Sequence, residues 1–124
     1  MPRLRFNVAI MAIVLPALAA GIPAAVAAED ATEIEVIVES ILAIDGDPAF
    51  GEYLGGECAT CHRRSAPAEG IPQISGIDPQ HFVHAMVEYR EGIRTNEVMR
   101  TTAARLSDEE IAALAAHFTD RAAR

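Results

Sequence analysis

Two cysteines and a histidine lie close together in the pattern C-x-x-C-H, at residues 58–62. The spacing lets the thiols of Cys58 and Cys61 add to the two vinyl groups of one porphyrin. His62 follows directly, so that its imidazole can ligate the porphyrin iron. The pattern is typical of a c-type haem attachment site and predicts one covalently bound haem c with a redox-active iron.

The cysteine pair also has interpretations without haem. Two cysteines at this spacing occur in thioredoxin-like redox sites and in half of a zinc site. The first of these expects a βαβ pattern, which is not visible, and the second needs further ligands, although the chain has no second cysteine pair. A disulfide between Cys58 and Cys61 leaves His62 unexplained. A haem site is favoured, and a thiol–disulfide or zinc module stays an alternative.

Residues 1–28 have the composition of a secretory signal peptide. Arg3 and Arg5 give a positive start, residues 8–20 are apolar, and small residues at 25–28 precede an acidic pair. The apolar run is short and interrupted by proline, which favours cleavage over a retained membrane anchor. We therefore expect export, a periplasmic location and no membrane span in the mature chain. Export suits the motif, because bacterial c-type haem is attached outside the cytoplasm.

The chain is acidic, with a formal net charge of −8 at pH 7 and no lysine. Loss of the signal segment removes two arginines and makes the mature chain more acidic still. This charge argues against binding to nucleic acid or to an anionic membrane surface, and it favours a partner with a basic face. Residues 29–124 amount to one small domain, whose core a covalent haem would enlarge.

Apolar residues recur at helical spacing in several segments, and no strand pattern competes with them. We predict helices over residues 32–44, from residue 48 into the haem motif, over residues 79–91 and over residues 107–118. Asp47 and Asp78 are the predicted N-caps of the second and third helices, and Ser107 begins a capping box with Glu110. Gly92 ends the third helix. Residues 63–78 are typical of a loop, and residues 93–106 have no clear period.

Two further expectations concern helix packing. Gly51, Gly55 and Gly56 weaken the second helix, and we expect them to allow close approach of another helix. Residues 29–46 are expected to form a helical extension that is separable from a haem domain at residues 47–124. The apolar face of this extension would pack on the haem domain or dock on a partner.

The chain resembles the class I cytochromes c over roughly residues 48–121. The features that carry the resemblance are the C-x-x-C-H motif, the turn at residues 70–72, a later methionine and a C-terminal helix that opens at residue 106. Residues 47–54, 70–76 and 98–99 look most like the small cytochrome subunits of sulfide dehydrogenase, or flavocytochrome c. The resemblance implies an all-α class I cytochrome c fold, wrapped around one covalently attached haem and preceded by an extra N-terminal helix.

The same resemblance implies the ligands of the iron. His62 is the proximal ligand, and its second ring N–H donates to the backbone carbonyl of Pro72, which as a proline carbonyl is free to accept. Met99 is implied as the sixth ligand. A His/Met pair keeps the iron six-coordinate in both oxidation states, and the soft thioether raises its potential.

The residues themselves leave alternatives to Met99 open. Met86 lies on the apolar side of a predicted helix, where methionine usually fills the core. His81 or His84 would give a bis-histidine iron, and an open sixth position would suit a haem enzyme or gas sensor. His117 is expected to take the place of an aromatic residue, with no ligand role. Of the four arginines near Met99, one or two are expected to bind the haem propionates, and a solvated basic face is the alternative; they are Arg90, Arg94, Arg100 and Arg105.

The preferred function is one-electron transfer by a His/Met-ligated c-type haem. The narrower resemblance implies a sulfide-oxidising, FAD-containing partner that passes electrons to this chain. Because the sequence contains no G-x-G-x-x-G fingerprint, the flavin chemistry would belong to that partner. The chain by itself is then an electron-transfer protein, and a free cytochrome shuttle is the alternative to an enzyme subunit.

Overall fold

A computed structural model describes residues 24–63 and 69–120 of the chain. It contains the helices α1 Ala24–Leu42, α2 Pro48–Cys61, α3 Pro79–Arg90, α4 Glu97–Ala103 and α5 Asp108–Asp120. No strand occurs within these two ranges, and the predicted all-α class is confirmed. Residues 1–23 of the expected signal segment lie outside the described residues. None of the described helices has the length and apolarity that a membrane span requires.

The second and third helices begin at the predicted residues. The side chain of Asp47 accepts a hydrogen bond from the N–H of Ala49 at 2.8 Å, and Asp78 accepts one from the N–H of His81 at 2.9 Å. In each case a proline follows the cap, where its missing N–H costs no intrahelical bond. Both predicted N-caps are confirmed.

The last helix begins with the predicted capping box. The hydroxyl of Ser107 accepts from the N–H of Glu110 at 3.2 Å, and the carboxylate of Glu110 accepts from the N–H of Ser107 at 2.8 Å. Just before it, α4 was not predicted from the sequence. With 7 residues, α4 is too short to show an apolar period, and its start is fixed by Asn96 as N-cap.

α2 and α5 cross at two glycines of α2. Gly51 lies directly against a backbone carbonyl of α5, and a Cβ atom there would collide with it. Gly55 faces the rings of His117 and Phe118. A side chain at Gly56 would instead meet open space. The predicted close approach is confirmed at Gly51 and Gly55 and is wrong at Gly56.

α1 packs with its apolar face on α3 and α5. Ile34, Val38 and Ile41 are buried in the core, at 6%, 0% and 0% exposure. α1 starts at Ala24, eight residues before the predicted start of this helix and ahead of the expected cleavage point. Of the two predicted roles for this face, packing on the rest of the fold is the one seen here. The domain boundary at residue 46 and the cleavage remain predictions.

Candidate haem site

The C-terminal turn of α2 carries the cysteine pair. Cys58 is half-buried, Cys61 is exposed as the last residue of the helix, and neither forms a disulfide. Their spacing of three residues places both thiols on the same side of the helix. His62 caps the helix, and its N–H donates to the carbonyl oxygen of Cys58 at 2.9 Å. Both thiols are therefore available for thioether bonds beside the imidazole.

The ring of His62 is held by the loop that follows. Its Nδ1 atom lies 2.7 Å from the carbonyl oxygen of Pro72. A carbonyl oxygen can only accept, so Nδ1 carries the proton and donates, and the lone pair stands on Nε2. A carbonyl that accepts from the second ring N–H of a metal-binding imidazole fixes the tautomer and the orientation of the ring. This is the contact that the resemblance implies, and the ligand role of Nε2 stays a prediction.

The environment of Cys58 differs from that of a reactive thiol. Burial raises the pKa of the Cys58 thiol, and the neighbouring charge of Glu57 raises it further, against the opposing effect of a backbone hydrogen bond. A redox-active cysteine needs a lowered pKa, because the thiolate is its reactive species. The surroundings of Cys58 therefore differ from those of a thioredoxin-like redox cysteine. Within the described ranges, no group of three or more His, Cys, Asp or Glu side chains is arranged to hold a metal ion.

The two methionines of the described ranges have different surroundings. Met86 is 5% exposed on α3 and belongs to the core, as its pattern predicts. Met99, the third residue of α4, is half-buried at the edge of the core. Leu54 of α2 and Leu106 are also half-buried and pack against the same core. Two thiols, an oriented imidazole and a thioether are the donors that a haem c would need, and their assembly around one haem stays a prediction.

The alternative histidine ligands are placed differently. The Nε2 atom of His84 lies 3.1 Å from a carboxylate oxygen of Glu35, and its Nδ1 atom lies 3.4 Å from one of Glu88. Both ring nitrogens of His84 thus face carboxylates, which does not suit an iron ligand. His81 is exposed in the first turn of α3.

His117 lies at the crossing of α2 and α5. It is 7% exposed, and its ring meets that of Phe118 edge-on with a centroid separation of 4.9 Å. The imidazole thus occupies the place expected for an aromatic residue, packed against Gly55. Its position is that of a core residue of the helix crossing.

Three of the four arginines near Met99 bond to carboxylates of the chain itself. The pairs are Arg90 with Asp108 at 2.7 Å, Arg94 with Glu88 at 2.6 Å and Arg100 with Glu97 at 3.4 Å. A uniformly solvated basic face is therefore not formed. Arg90 and Arg94, whose separations are short, join α3 to α5 and to the connection that follows α3, respectively.

Glu88 was not singled out by the sequence. Burial raises the pKa of its carboxyl, but the hydrogen bond and charge of Arg94, and then those of His84, outweigh burial and hold the pKa below its ordinary value. Glu88 is consequently charged at neutral pH. The only local signal was its position four residues after His84, which places the two side chains together on one face of α3.

Comparison with known proteins gives relatives that are all cytochromes or electron acceptors by name, while no protein-family model matches the chain. Cytochrome c-554(548) of Halomonas halodenitrificans is 32% identical over 83 residues, which are 61% of this chain and 98% of that protein. The cytochrome subunit of sulfide dehydrogenase of Chlorobaculum tepidum is 35% identical over 69 residues, 55% of this chain and 63% of that one.

A third relative is more similar over a shorter stretch. The thiosulfate dehydrogenase electron acceptor of Stutzerimonas stutzeri is 44% identical over 62 residues, which are 48% of this chain and 29% of that protein. The chain thus spans less than a third of this relative and under two thirds of the sulfide dehydrogenase subunit, but nearly all of cytochrome c-554(548).

Proposed function

This chain belongs to the class I c-type cytochromes, and from that membership we propose that it is a periplasmic one-electron carrier with one covalently bound haem. The observation that carries the proposal is the oriented imidazole of His62. This residue follows the two free thiols, and its Nδ1–H donates a hydrogen bond to the carbonyl oxygen of Pro72. The signal-like composition of residues 1–28 supports export.

The proposed roles of the site residues follow from their chemistry. Cys58 and Cys61 would form the thioether bonds, and Nε2 of His62 and the sulfur of Met99 would ligate the iron. When bound, the haem supplies an iron that changes its oxidation state by one electron. Pro72 keeps the imidazole in one orientation and one tautomer, which limits rearrangement of the ligands. The thioether of Met99 favours the reduced state and so raises the potential.

The position of His84 supports electron transfer over a haem enzyme or gas sensor. Such a protein usually needs an open distal site and an acid–base side chain beside it, and His84 was the candidate for that role. Its two nitrogens lie within 3.1 Å and 3.4 Å of the carboxylates of Glu35 and Glu88. We also expect carbon monoxide and cyanide to bind weakly to the haem-loaded protein, because Met99 would occupy the iron coordination position that these ligands need.

We propose that the electron donor is a dehydrogenase that oxidises reduced sulfur compounds. The preferred candidate is an FAD-containing flavoprotein that oxidises sulfide. The similarity to the cytochrome subunit of sulfide dehydrogenase supports this donor. A thiosulfate dehydrogenase is the second candidate, favoured by the 44% identity to an electron acceptor of that enzyme. The acidity of the chain suits a donor with a basic docking face.

The experiment mixes the oxidised protein with each purified dehydrogenase and its substrate and follows reduction of the haem by absorption. We expect the haem to be reduced rapidly by sulfide in the presence of the flavoprotein and slowly by sulfide alone. Co-purification of this chain with an FAD protein would identify it as an enzyme subunit. Purification without such a partner would identify it as a free shuttle. Failure of both dehydrogenases to accelerate reduction would contradict the proposed donor class.

A further inference from the structure

Three hydrogen bonds join the connection between α3 and α4 to one residue of α3, Glu88. The Nε–H of Arg94 donates to the Glu88 carboxylate at 2.6 Å. The backbone N–H groups of Ile93 and Arg94 donate to the Glu88 carbonyl oxygen at 2.8 Å and 3.2 Å. From this geometry we propose that Glu88 and Arg94 are a pair of positioning residues that place Met99 for its role as iron ligand, an inference that rests on the proposed function.

The backbone part of this fastening is a helix C-cap. Gly92 has φ +78, a left-handed conformation that glycine adopts without steric cost, and its N–H donates to the carbonyl of Tyr89 at 3.2 Å. Together with the bond from Ile93 to Glu88, this is a Schellman motif, which ends the helix and reverses the chain. The motif sets the direction of the connection, and the side chain of Arg94 bonds the connection to the side chain of Glu88 on α3.

The step from Arg94 to Met99 is short. Only Thr95 separates Arg94 from Asn96, the N-cap of α4. The side chain of Asn96 accepts from the N–H of Met99 itself at 3.1 Å. A shift of Arg94 would therefore carry the cap, and with it the first turn of α4 and Met99. α4 has 7 residues and little stability of its own, so its placement depends on such anchors.

The pair is held from both sides. Glu88 is 20% exposed and also lies 3.4 Å from Nδ1 of His84, while the guanidinium of Arg94 lies 5.5 Å from the ring centroid of Tyr89. The lowered pKa of Glu88 keeps the acceptor charged at neutral pH. A partly buried pair with additional contacts restricts motion more than an exposed pair does, because solvent competes less for its hydrogen bond.

The test compares three single alanine variants, and the double variant Glu88→Ala/Arg94→Ala, of the haem-loaded protein. Glu88→Ala and Arg94→Ala each remove one partner, and Glu88→Ala leaves the carbonyl of the helix cap in place. Asp108→Ala is the matched control, because it removes a bond of similar length, 2.7 Å to Arg90, that joins α3 to α5 and not to the connection. Imidazole is the probe, since it competes with Met99 for the iron, and the far-red sulfur-to-iron band of the oxidised protein reports its displacement.

We expect imidazole to bind about three- to tenfold more tightly to Glu88→Ala and to Arg94→Ala than to the wild type, as a partly buried charged pair is lost. The double variant should show no larger change than either single variant, because the two residues act as a unit. The imidazole affinity of the Asp108→Ala control should change by less than about twofold, even if its melting temperature falls as much as that of the other variants.

Three results would overturn the inference. They are an unchanged imidazole affinity in both variants, a change of equal size in the Asp108→Ala control, and loss of covalent haem in both variants. The last would assign the pair to folding and not to Met99. A wild-type protein without the far-red band would be a different failure, because it would remove the proposed ligand role of Met99 itself.

Discussion

The imidazole of His62 and the carbonyl of Pro72 are joined across ten residues by a hydrogen bond of 2.7 Å. His62 ends α2, whereas Pro72 belongs to the loop that leads to α3. The bond orients the ring from the protein side, so the free nitrogen has a fixed direction before any metal binds. The site is thus pre-organised at its imidazole, whereas the position of Met99, the proposed second ligand, depends on α4.

Met99→Ala and Met86→Ala should separate the ligand from the core residue. Met99→Ala is expected to abolish the far-red band of the oxidised protein and to lower the potential, since the thioether favours the reduced iron. Met86→Ala should retain the band and lose roughly 2–5 kcal/mol of unfolding free energy, because Met86 is buried. Absorption spectra and denaturant titrations measure both effects. The reverse pattern would show that the ligand assignment is wrong.

Gly51→Ala and Gly56→Ala form a second matched pair, on α2. A methyl group at Gly51 would collide with the carbonyl of Ala113, and we expect it to lower the unfolding free energy by about 1–3 kcal/mol. At Gly56 the methyl meets open space, and the better helix propensity of alanine should raise the unfolding free energy by about 0.5–1 kcal/mol. Equal effects at the two positions, measured by urea unfolding, would contradict the helix crossing described above.

The N-terminal helix should contribute to stability and not to the haem spectrum. Ile41→Ala removes a fully buried side chain of α1 and is expected to cost roughly 2–5 kcal/mol of unfolding free energy. Val36→Ala, on the same helix at 61% exposure, should change it by less than about 0.5 kcal/mol. The absorption spectrum should be unchanged in both. A lost haem spectrum in folded Ile41→Ala would place α1 in the haem pocket.

Much of the fold could be predicted from local sequence signals. Asp47, Asp78 and Ser107 start helices that they cap with their own side chains, so short patterns were sufficient. The helix α4 could not be predicted, because 7 residues hold too little periodicity. The contact of His84 with Glu35 joins residues 49 positions apart, and no local pattern encodes it. The haem motif could be recognised from the sequence because its three residues lie close together, at residues 58–62.

Electron transfer should depend on ionic strength. The net charge of −8, which loss of Arg3 and Arg5 with the expected signal peptide would change to −10, produces an attractive field for a basic partner. Exposed glutamates such as Glu52 and Glu57 lie on the helix that carries the cysteines. The second-order rate of reaction with a positively charged redox protein should fall as salt rises, since screening acts beyond about 10 Å at ~0.1 M. A flat response, recorded by stopped-flow absorption, would indicate an apolar docking face or a permanently bound partner.

Covalent attachment of one haem is the central claim, and mass spectrometry of the exported, denatured protein tests it most directly. The account predicts that the wild-type polypeptide is heavier by the mass of one haem. The double variant Cys58→Ala/Cys61→Ala should have the mass of its bare chain and should lack a cooperatively melting fold. Wild-type protein that leaves a haem-competent cell at the mass of the polypeptide alone, with its two cysteines free or oxidised to a disulfide, would contradict the account.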